Sequence, residues 1–385
     1  MATAPLEIYE INIAQEVVLR LDGVHLISAR EALEEDFQAD WADLVATSEE
    51  PNPFFEPWYL LPSLVNMDIP GRVQIAAYYR AGILCGLFPL IKSTAYYGYP
   101  LPHYAVWQHP NMFSGAPLVR RGHALGFWRT LLATLDEEPG GALFLHLPQL
   151  NETGPINRAL EVVLASQDRA AGIVHRSERA LLQSNLGPEA YFEASLSAKK
   201  RKELRRQERR LGEEGCLTFE RQHGSANLDH WIGEFLGLEA SGWKGAEGSA
   251  LASATASARL FNEALTGAAH AGKLERLTLR LGGKPIAMLA NFLTPPGAFS
   301  FKTAFDERYA RFSPGVLLQQ RNLELLSRSD IAWCDSCAAE GHPMIERIWR
   351  EKHAIISRSI AIGGSLRRRL FEPILRAETK KESRP

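Results

Sequence analysis

Four cysteines in 385 residues are too few for a disulfide framework. Two of them, Cys334 and Cys337, form a CxxC within AWCDSC, but a zinc or redox site needs a second pair or nearby ligands. Cys85 and Cys216 stand alone in other segments, so buried structural cysteines and no metal are expected. Net charge is also nearly absent: 43 Lys and Arg against 45 Asp and Glu leave −2, without the basic bias of most RNA binders. No apolar run approaches the roughly 18 residues of a membrane span. The first residues, MATAPLEIYEINIAQ, have neither a basic start nor an apolar core, so no secretory signal is expected. The expected compartment is a bacterial-type cytoplasm.

What the chain does have is bulk. Apolar residues make up 45% and charged residues 23%, the balance of a globular protein with a sizeable core. At this length two domains of roughly 180 residues are the natural division. The chain also has one dense block of charge. Within SLSAKKRKELRRQERRLGEEG, eight of the twelve residues from Lys199 to Arg210 are Lys or Arg. Leu196, Leu204 and Leu211 recur at spacings of eight and seven, which predicts a helix with a thin apolar stripe and wet, cationic faces. The block holds no aromatic residue and so no stacking platform for bases. Its cations crowd the first turn, where the helix dipole disfavours them by ~0.3–1 kcal/mol each. An anion near that turn would offset the cost.

The rest of the chain states one order of elements twice. In the second half DHWIGEFLGLEAS and ASARLFNEALTGAAHAG read as helices, the latter closed by Gly272. KLERLTLRL, KPIAMLANFLT and AFSFKTAFD read as strands turned at Gly282-Gly283 and Pro295-Pro296-Gly297. The helix VLLQQRNLELLSRS, the strand IAWCDSC, the helix HPMIERIWREK and the strand AIISRSIAI complete the unit. The first half offers the strands RVQIAAYYR, ILCGLFPLIKST and YAVWQHPN, then helix, strand, helix and the strand GIVHRSERALL. The repeat predicts an α+β fold of two tandem domains, each a mixed, mainly antiparallel sheet flanked by helices. The expected domains are 1–190 and 191–372, followed by a flexible polar tail, 373–385.

One stretch, AFSFKTAFDERYARFSPGVLLQQ, points to chemistry. Ser313-Pro314-Gly315 opens a helix, with Ser as N-cap, Pro at the first helical position and Gly admitting a ligand to the backbone. The amides of Gly315, Val316 and Leu317 would point outward at the positive end of the dipole, with Arg311 just before them. Such a turn suits a phosphate or pyrophosphate. The matching first-half segment, SGAPLVRRGH, has no such turn, so one donor site per chain is expected.

Three antiparallel strands, a phosphate-type turn and helix, then a strand and helix is the order of the GNAT N-acyltransferases. The chain resembles their CelD-like branch, related to the FemAB peptidyl ligases. The resemblance rests on NPFFEPWYLLPSL, ILCGLFPLI, SLSAKKRKELRRQERRL, LEASGWKGAEGSAL, AFDERYARFSPGVLL and DSCAAEGHPMIERIWREKHAI, running from about residue 50 to 365. It implies tandem GNAT-like domains and acetyl-CoA or a longer acyl-CoA as donor, its pyrophosphate at Ser313, Gly315, Val316 and Leu317. It also implies fourth and fifth strands that splay to admit the thioester. The loop departs from the GNAT pattern Gln/Arg-x-x-Gly-x-Gly/Ala, because Pro314 removes one amide donor.

Acyl transfer to an amine needs a neutral amine, a path for its proton and a donor to the thioester oxyanion. Asp306 and Asp335 lie at the strands that would splay, where either would hold the acceptor ammonium. Capping a turn or binding backbone amides is the structural use of the same residues. His342 has the titration range of a base or serves as a helix cap. Tyr309 would be the acid to the leaving thiolate, as the resemblance implies. Trp243 and Lys244 in SGWKG, with Trp107 and His109 from the first half, would line the acceptor side. The expected activity is N-acyl transfer to the primary amine of a small molecule or peptide held between the domains. The alternatives are a FemAB-like ligase using aminoacyl-tRNA, and a non-catalytic GNAT-like scaffold binding an acyl carrier protein.

Overall fold

The computed structural model describes residues 21–382, with positions 70 and 168 excepted. The first run of elements is β1 (Gly23–Ser28), α1 (Glu35–Thr47), α2 (Pro57–Met67), β2 (Val73–Arg80), β3 (Ile83–Ser93), β4 (His103–Val106), β5 (Leu118–Val119), α3 (Ala124–Glu137), β6 (Phe144–Asn151), α4 (Pro155–Ala165) and β7 (Ala171–Leu182). Two helices follow, α5 (Pro188–Ser195) and α6 (Ala198–Glu213). The second run is β8 (Leu217–His223), α7 (Leu228–Ala240), α8 (Trp243–Ala246), α9 (Thr255–His270), β9 (Leu274–Leu281), β10 (Lys284–Thr294), β11 (Gly297–Phe305), α10 (Pro314–Asn322), β12 (Trp333–Asp335), β13 (Glu351–Ala361) and α11 (Ser365–Glu382).

All the described strands join one sheet. Its order is β1-β2-β3-β4-β6-β13-β7-β12-β11-β10-β9-β8, with β5 pairing β3 off that path. Read from either edge, the order is the same once each strand is matched to its counterpart in the other run. The two final strands are exchanged: β13 pairs with β6 of the first run, and β7 pairs with β12 of the second. Between them β7 and β13 run antiparallel from Leu181 opposite Glu351 to Ala171 opposite Ile360. The expected boundary near residue 190 is thus a division of the sequence, while the sheet is continuous across it.

Central strands carry apolar residues on both faces because helices cover both. β10 (KPIAMLANFLT) is buried from Ile286 to Thr294. The core crosses the two runs. Phe54 meets Phe299 at 5.7 Å between ring centroids, and Tyr59 meets Phe301 at 5.8 Å. Where α2 packs on α9, the Lys273 ammonium lies 2.5 Å from the buried Glu56 carboxylate, which also accepts from the Trp58 indole at 2.6 Å. Gly267 is required there, since a Cβ would fall 2.8 Å from that of Trp58.

Two expectations change, and one strand is new. The segment 342–350 forms turns, not a helix, although Ile345, Ile348 and Trp349 are buried. The expected tail belongs to α11 as far as Glu382, anchored by Phe371 stacked on Phe144 at 4.5 Å. β8, LTFERQH, escapes a reading by hydrophobicity because it is an edge strand whose polar residues face solvent and Arg and Glu partners on β9.

The exchange predicts that fragments 1–190 and 191–385 do not fold separately but assemble when co-expressed. A cooperative melt from fragment 191–385 alone would overturn this. Ile356 and Ile360 are fully buried on β13, and Ile→Ala at either should cost ~2–5 kcal/mol in chemical denaturation.

Candidate functional site

The site is a gap between two strands. β11 and β12 run parallel and pair only from Gly297 opposite Trp333 to Phe299 opposite Asp335. Pairing this close needs Gly297, whose Cβ would lie 2.5 Å from the Trp333 ring. Beyond it the strands part for two local reasons. On β11, Ser300 stands opposite Asn291 and Lys302 opposite Ala290, so Phe301 is an extra residue, a β-bulge. On β12, the Asp335 carboxylate accepts the Cys337 amide at 2.7 Å, and Cys337 adopts a left-handed φ of 52°. That Asx-type turn leads the chain off the sheet.

The cleft so opened holds about 360 Å³ and is lined by β11 from Ser300 to Phe305 and by the chain from Ser336 to Ile345. Glu239 and Glu307 border it, and Pro110 and Phe113 reach in from the first run. Glu239 is a buried carboxylate, fixed by the Leu251 amide at 2.8 Å. The Lys302 ammonium lies over Phe113 at 5.2 Å and Phe301 at 5.6 Å from the ring centres. Burial, with the neighbouring Asp335 charge, pushes the Cys337 thiol well up, so it stays protonated. Cys334 is buried in the strand and pushed up likewise. Among the described residues no three His, Cys, Asp or Glu side chains group to hold a metal ion.

The turn at Ser313 is formed, but with fewer free amides than expected. Ser313 is left-handed, with φ 55° and ψ 50°. Its carbonyl accepts from Val316 at 3.0 Å and Leu317 at 3.1 Å. Leu317 is the fourth helical residue and begins the regular ladder, Val316 shares its acceptor, and Pro314 has no N–H. Of the expected trio, only the Gly315 amide remains without a backbone acceptor. A Cβ on Gly315 would lie 2.3 Å from Met344 Sδ, so Met344 of the cleft wall packs against this helix start. Arg311 is paired with Glu214 and stacks on Phe312 at 4.6 Å.

The other expected site residues are scattered. His342 lines the cleft. Asp306 instead caps a 3-10 turn, taking the Arg308 amide at 3.0 Å and its guanidinium at 2.6 Å, which holds its carboxyl below the usual range. Tyr309 packs against the cluster of Leu211 and Phe312, away from the cleft. Trp107 and His109 are core residues behind Phe113: His109 lies 3.1 Å from Ser63, accepts the Asn111 amide at 3.3 Å, and burial holds it down to about 4. Trp243 and Lys244 lie in α8, just after the cleft residue Gly242; their side chains fall outside the described residues.

Asp335 faces away from the cleft, as strand alternation requires once Phe299 and Trp333 point to the other side. With them it lines a second cavity of about 420 Å³ between the two runs. Its Oδ2 lies 3.1 Å from both Arg179 on β7 and His353 on β13. Burial alone would raise its pKa, but Arg179 and His353 hold it below the usual range. Arg179 also donates to the Phe113 carbonyl at 2.7 Å. Phe113 therefore stands between the cavities and lines both. In the first run the gap matching the cleft is filled. There Gly115 donates to the Gln149 carbonyl at 2.9 Å, and a Cβ on it would lie 2.0 Å from the Pro148 oxygen.

Residues 198–342 match the family described as acetyltransferase (GNAT) domain. The second half carries a GNAT domain. A search of curated protein sequences gave no match. Among solved structures, FemX is similar at 10% identity over 88% of this chain and 98% of its own, with a TM-score of 0.55. A C-terminal domain (DUF2156) assigned to a lysylphosphatidylglycerol synthetase from Agrobacterium fabrum is similar at 14% identity, over 90% and 96%, with a TM-score of 0.54. A conserved protein of unknown function from Bacteroides thetaiotaomicron follows at 14%, 84% and 96%, with 0.52. At these identities the likeness is one of fold. It agrees with the pseudo-symmetric sheet: the chain is an α+β protein of two tandem GNAT-like halves.

Sequence reasoning missed Glu239, Glu307, Lys302 and Phe113. The one available signal was Lys302, a cation between aromatic residues in FSFKTAF where a buried strand would continue apolar.

Glu50 lines the second cavity, and burial pushes its carboxyl up from 4.5 to about 7. A carboxyl whose pKa is higher folded than unfolded contributes its stability below the unfolded value, and loses it as pH rises through the folded value. Between pH 5 and 7.5 the melting temperature of the wild type should therefore fall relative to Glu50→Gln. A difference that stays constant with pH would exclude this assignment.

Proposed function

We propose that the chain is an N-acyltransferase, passing an acyl group from an acyl-CoA thioester to the primary amine of a small molecule or peptide bound between the halves. The observation that carries this reading is the parting of β11 from β12 at the Phe301 bulge, beside a helix N-terminus and under a first-half loop. Among the described residues an open cleft of this kind exists once, because the first-run counterpart is closed by its own backbone. One donor site in the C-terminal half follows.

The residues divide the chemistry among them. The bulge at Phe301 frees backbone N–H from the ladder to face the thioester carbonyl. The Lys302 charge supports the same developing oxyanion and lowers the pKa of an amine held nearby. Glu239 holds the acceptor ammonium, and His342 takes its proton. That first proton passes on to solvent; the neutral nitrogen attacks the thioester carbon, His342 takes the second proton from the tetrahedral nitrogen, and the C–S bond breaks as His342 gives that proton to the leaving thiolate. Asp335 is a positioning residue: its carboxylate makes the turn that opens the cleft. Asp306 and Tyr309 have structural work elsewhere and are not assigned to the reaction.

Saturating acetyl-CoA or a longer acyl-CoA should raise the melting temperature, and amines should then release free thiol. Glu239→Gln and His342→Gln should lower kcat by ~10²–10³ while leaving the donor-induced shift in place. No shift with any acyl-CoA, together with tight binding of aminoacyl-tRNA, would transfer the reading to a FemAB-like ligase.

A further inference from the structure

The densest charge on the molecule lies outside the cleft. α6 is anchored by Leu204 and Leu211, and Ser197 caps it by accepting the Lys200 amide at 3.4 Å. Arg201 turns back to donate to the Glu193 and Leu196 carbonyls at 2.7 Å, at the C-terminal end of α5. Arg206 pairs with Glu203, and Glu208 with Arg321. No carboxylate pairs with Lys199, Lys200, Lys202 or Arg205 among the described residues. These cations share a groove of about 840 Å³ with Arg347, and seven of its nine lining residues are Lys or Arg.

Arg347 ties the groove to the donor cleft. It belongs to the turn segment that also supplies Met344 and Ile345 to the cleft wall. Arg347 is three positions after Met344, so their Cα atoms are at most about 11 Å apart. Met344 in turn covers Gly315 at the donor turn. The groove and the cleft wall thus share one short segment.

We propose that the groove between α6 and segment 341–350 docks an acidic acyl carrier protein, which presents the acyl thioester to the cleft on its pantetheine arm. The proposal rests on the acyl-transfer reading and names the donor of that site. Two independent observations favour a carrier over free CoA. The donor turn keeps one free amide, a poor cradle for a pyrophosphate, which a carrier-bound pantetheine arm lacks. The strongest charge lies beyond that turn, where a docked protein would sit. A protein also fits better than RNA. The stripe from Lys199 to Arg209 is only about 15 Å long, matching one acidic helix. It has no aromatic residue to stack a base. Away from the groove the chain is net acidic and would repel a long polyanion.

The test uses the full chain and needs no knowledge of the acceptor. Acyl carrier protein, free and loaded with a series of acyl groups, is titrated by fluorescence anisotropy, with bulk tRNA as the rival polyanion. Carrier binding should weaken about tenfold between 50 and 300 mM salt, and about tenfold again in Lys202→Glu and Arg347→Glu. Both variants should keep the wild-type melting temperature and the wild-type kcat/KM with acyl-CoA. Carrier binding indifferent to both reversals would overturn the proposal. So would an equal loss of kcat/KM with acyl-CoA, which would give the groove to the nucleotide, or tRNA binding more tightly with the same dependence. If neither donor supports transfer, the reading of the cleft fails, and charge-dependent carrier binding still decides the groove.

Discussion

The pairing of β7 with β13 is the constraint on which the rest depends. Each strand is the last of its own run, and each completes the other's sheet. A tandem pair with separate sheets would meet through surfaces; here the halves meet through backbone hydrogen bonds. Those bonds have no alternative partner once β6 and β12 are in place, and an unpaired central strand is costly to bury. The exchange also explains the buried charges. Arg179 is on β7, His353 on β13 and Asp335 on β12, so the cluster exists only because strands from both runs are neighbours. Removing one member would leave buried charge uncompensated, the costly case for such networks.

The cleft inherits its shape from that cluster. Asp335 turns one carboxylate oxygen to Arg179 and His353 and the other to the Cys337 amide. One side chain thereby fixes the sheet's centre and starts the turn that separates β12 from β11. Arg179 extends the same network to the Phe113 carbonyl, which positions the first-half ring over Lys302. The cleft and the junction between halves are consequently one mechanical unit. A change at the junction alters the cleft without touching its lining.

Much of this was legible in the sequence where the signal is local. Strand period, the two hairpin turns and the Ser-Pro-Gly helix start place β9, β10, β11 and α10 within a few residues. The repeated order of elements announced the tandem halves. The exchange was not legible, because a strand's own residues do not say which of two similar edges it joins. The side on which Asp335 faces depends on one residue of register, so it was assigned to the cleft while pointing to the opposite cavity. Counting three free amides at the donor turn overlooked that the fourth helical residue already donates to the N-cap carbonyl. Glu239 gave no signal at all: it ends an ordinary amphipathic helix and gains its place only from tertiary packing.

The basic helix shows how a local anomaly divides once its surroundings are known. Cations at a helix start are disfavoured by its dipole. Arg201 escapes this by reaching the carbonyl end of α5, which offers the opposite partial charge. The C-terminal acids escape it too, Glu214 by meeting Arg311 and Glu213 by lying 3.8 Å from Arg209. Folding stability therefore accounts for Arg201, Arg206 and Arg209, and for none of Lys199, Lys200, Lys202 and Arg205. Four exposed cations that repel one another, three of them within the first five residues of the helix, add nothing to the fold. A docked anion would turn that repulsion into affinity, and the groove these cations line also takes in Arg347.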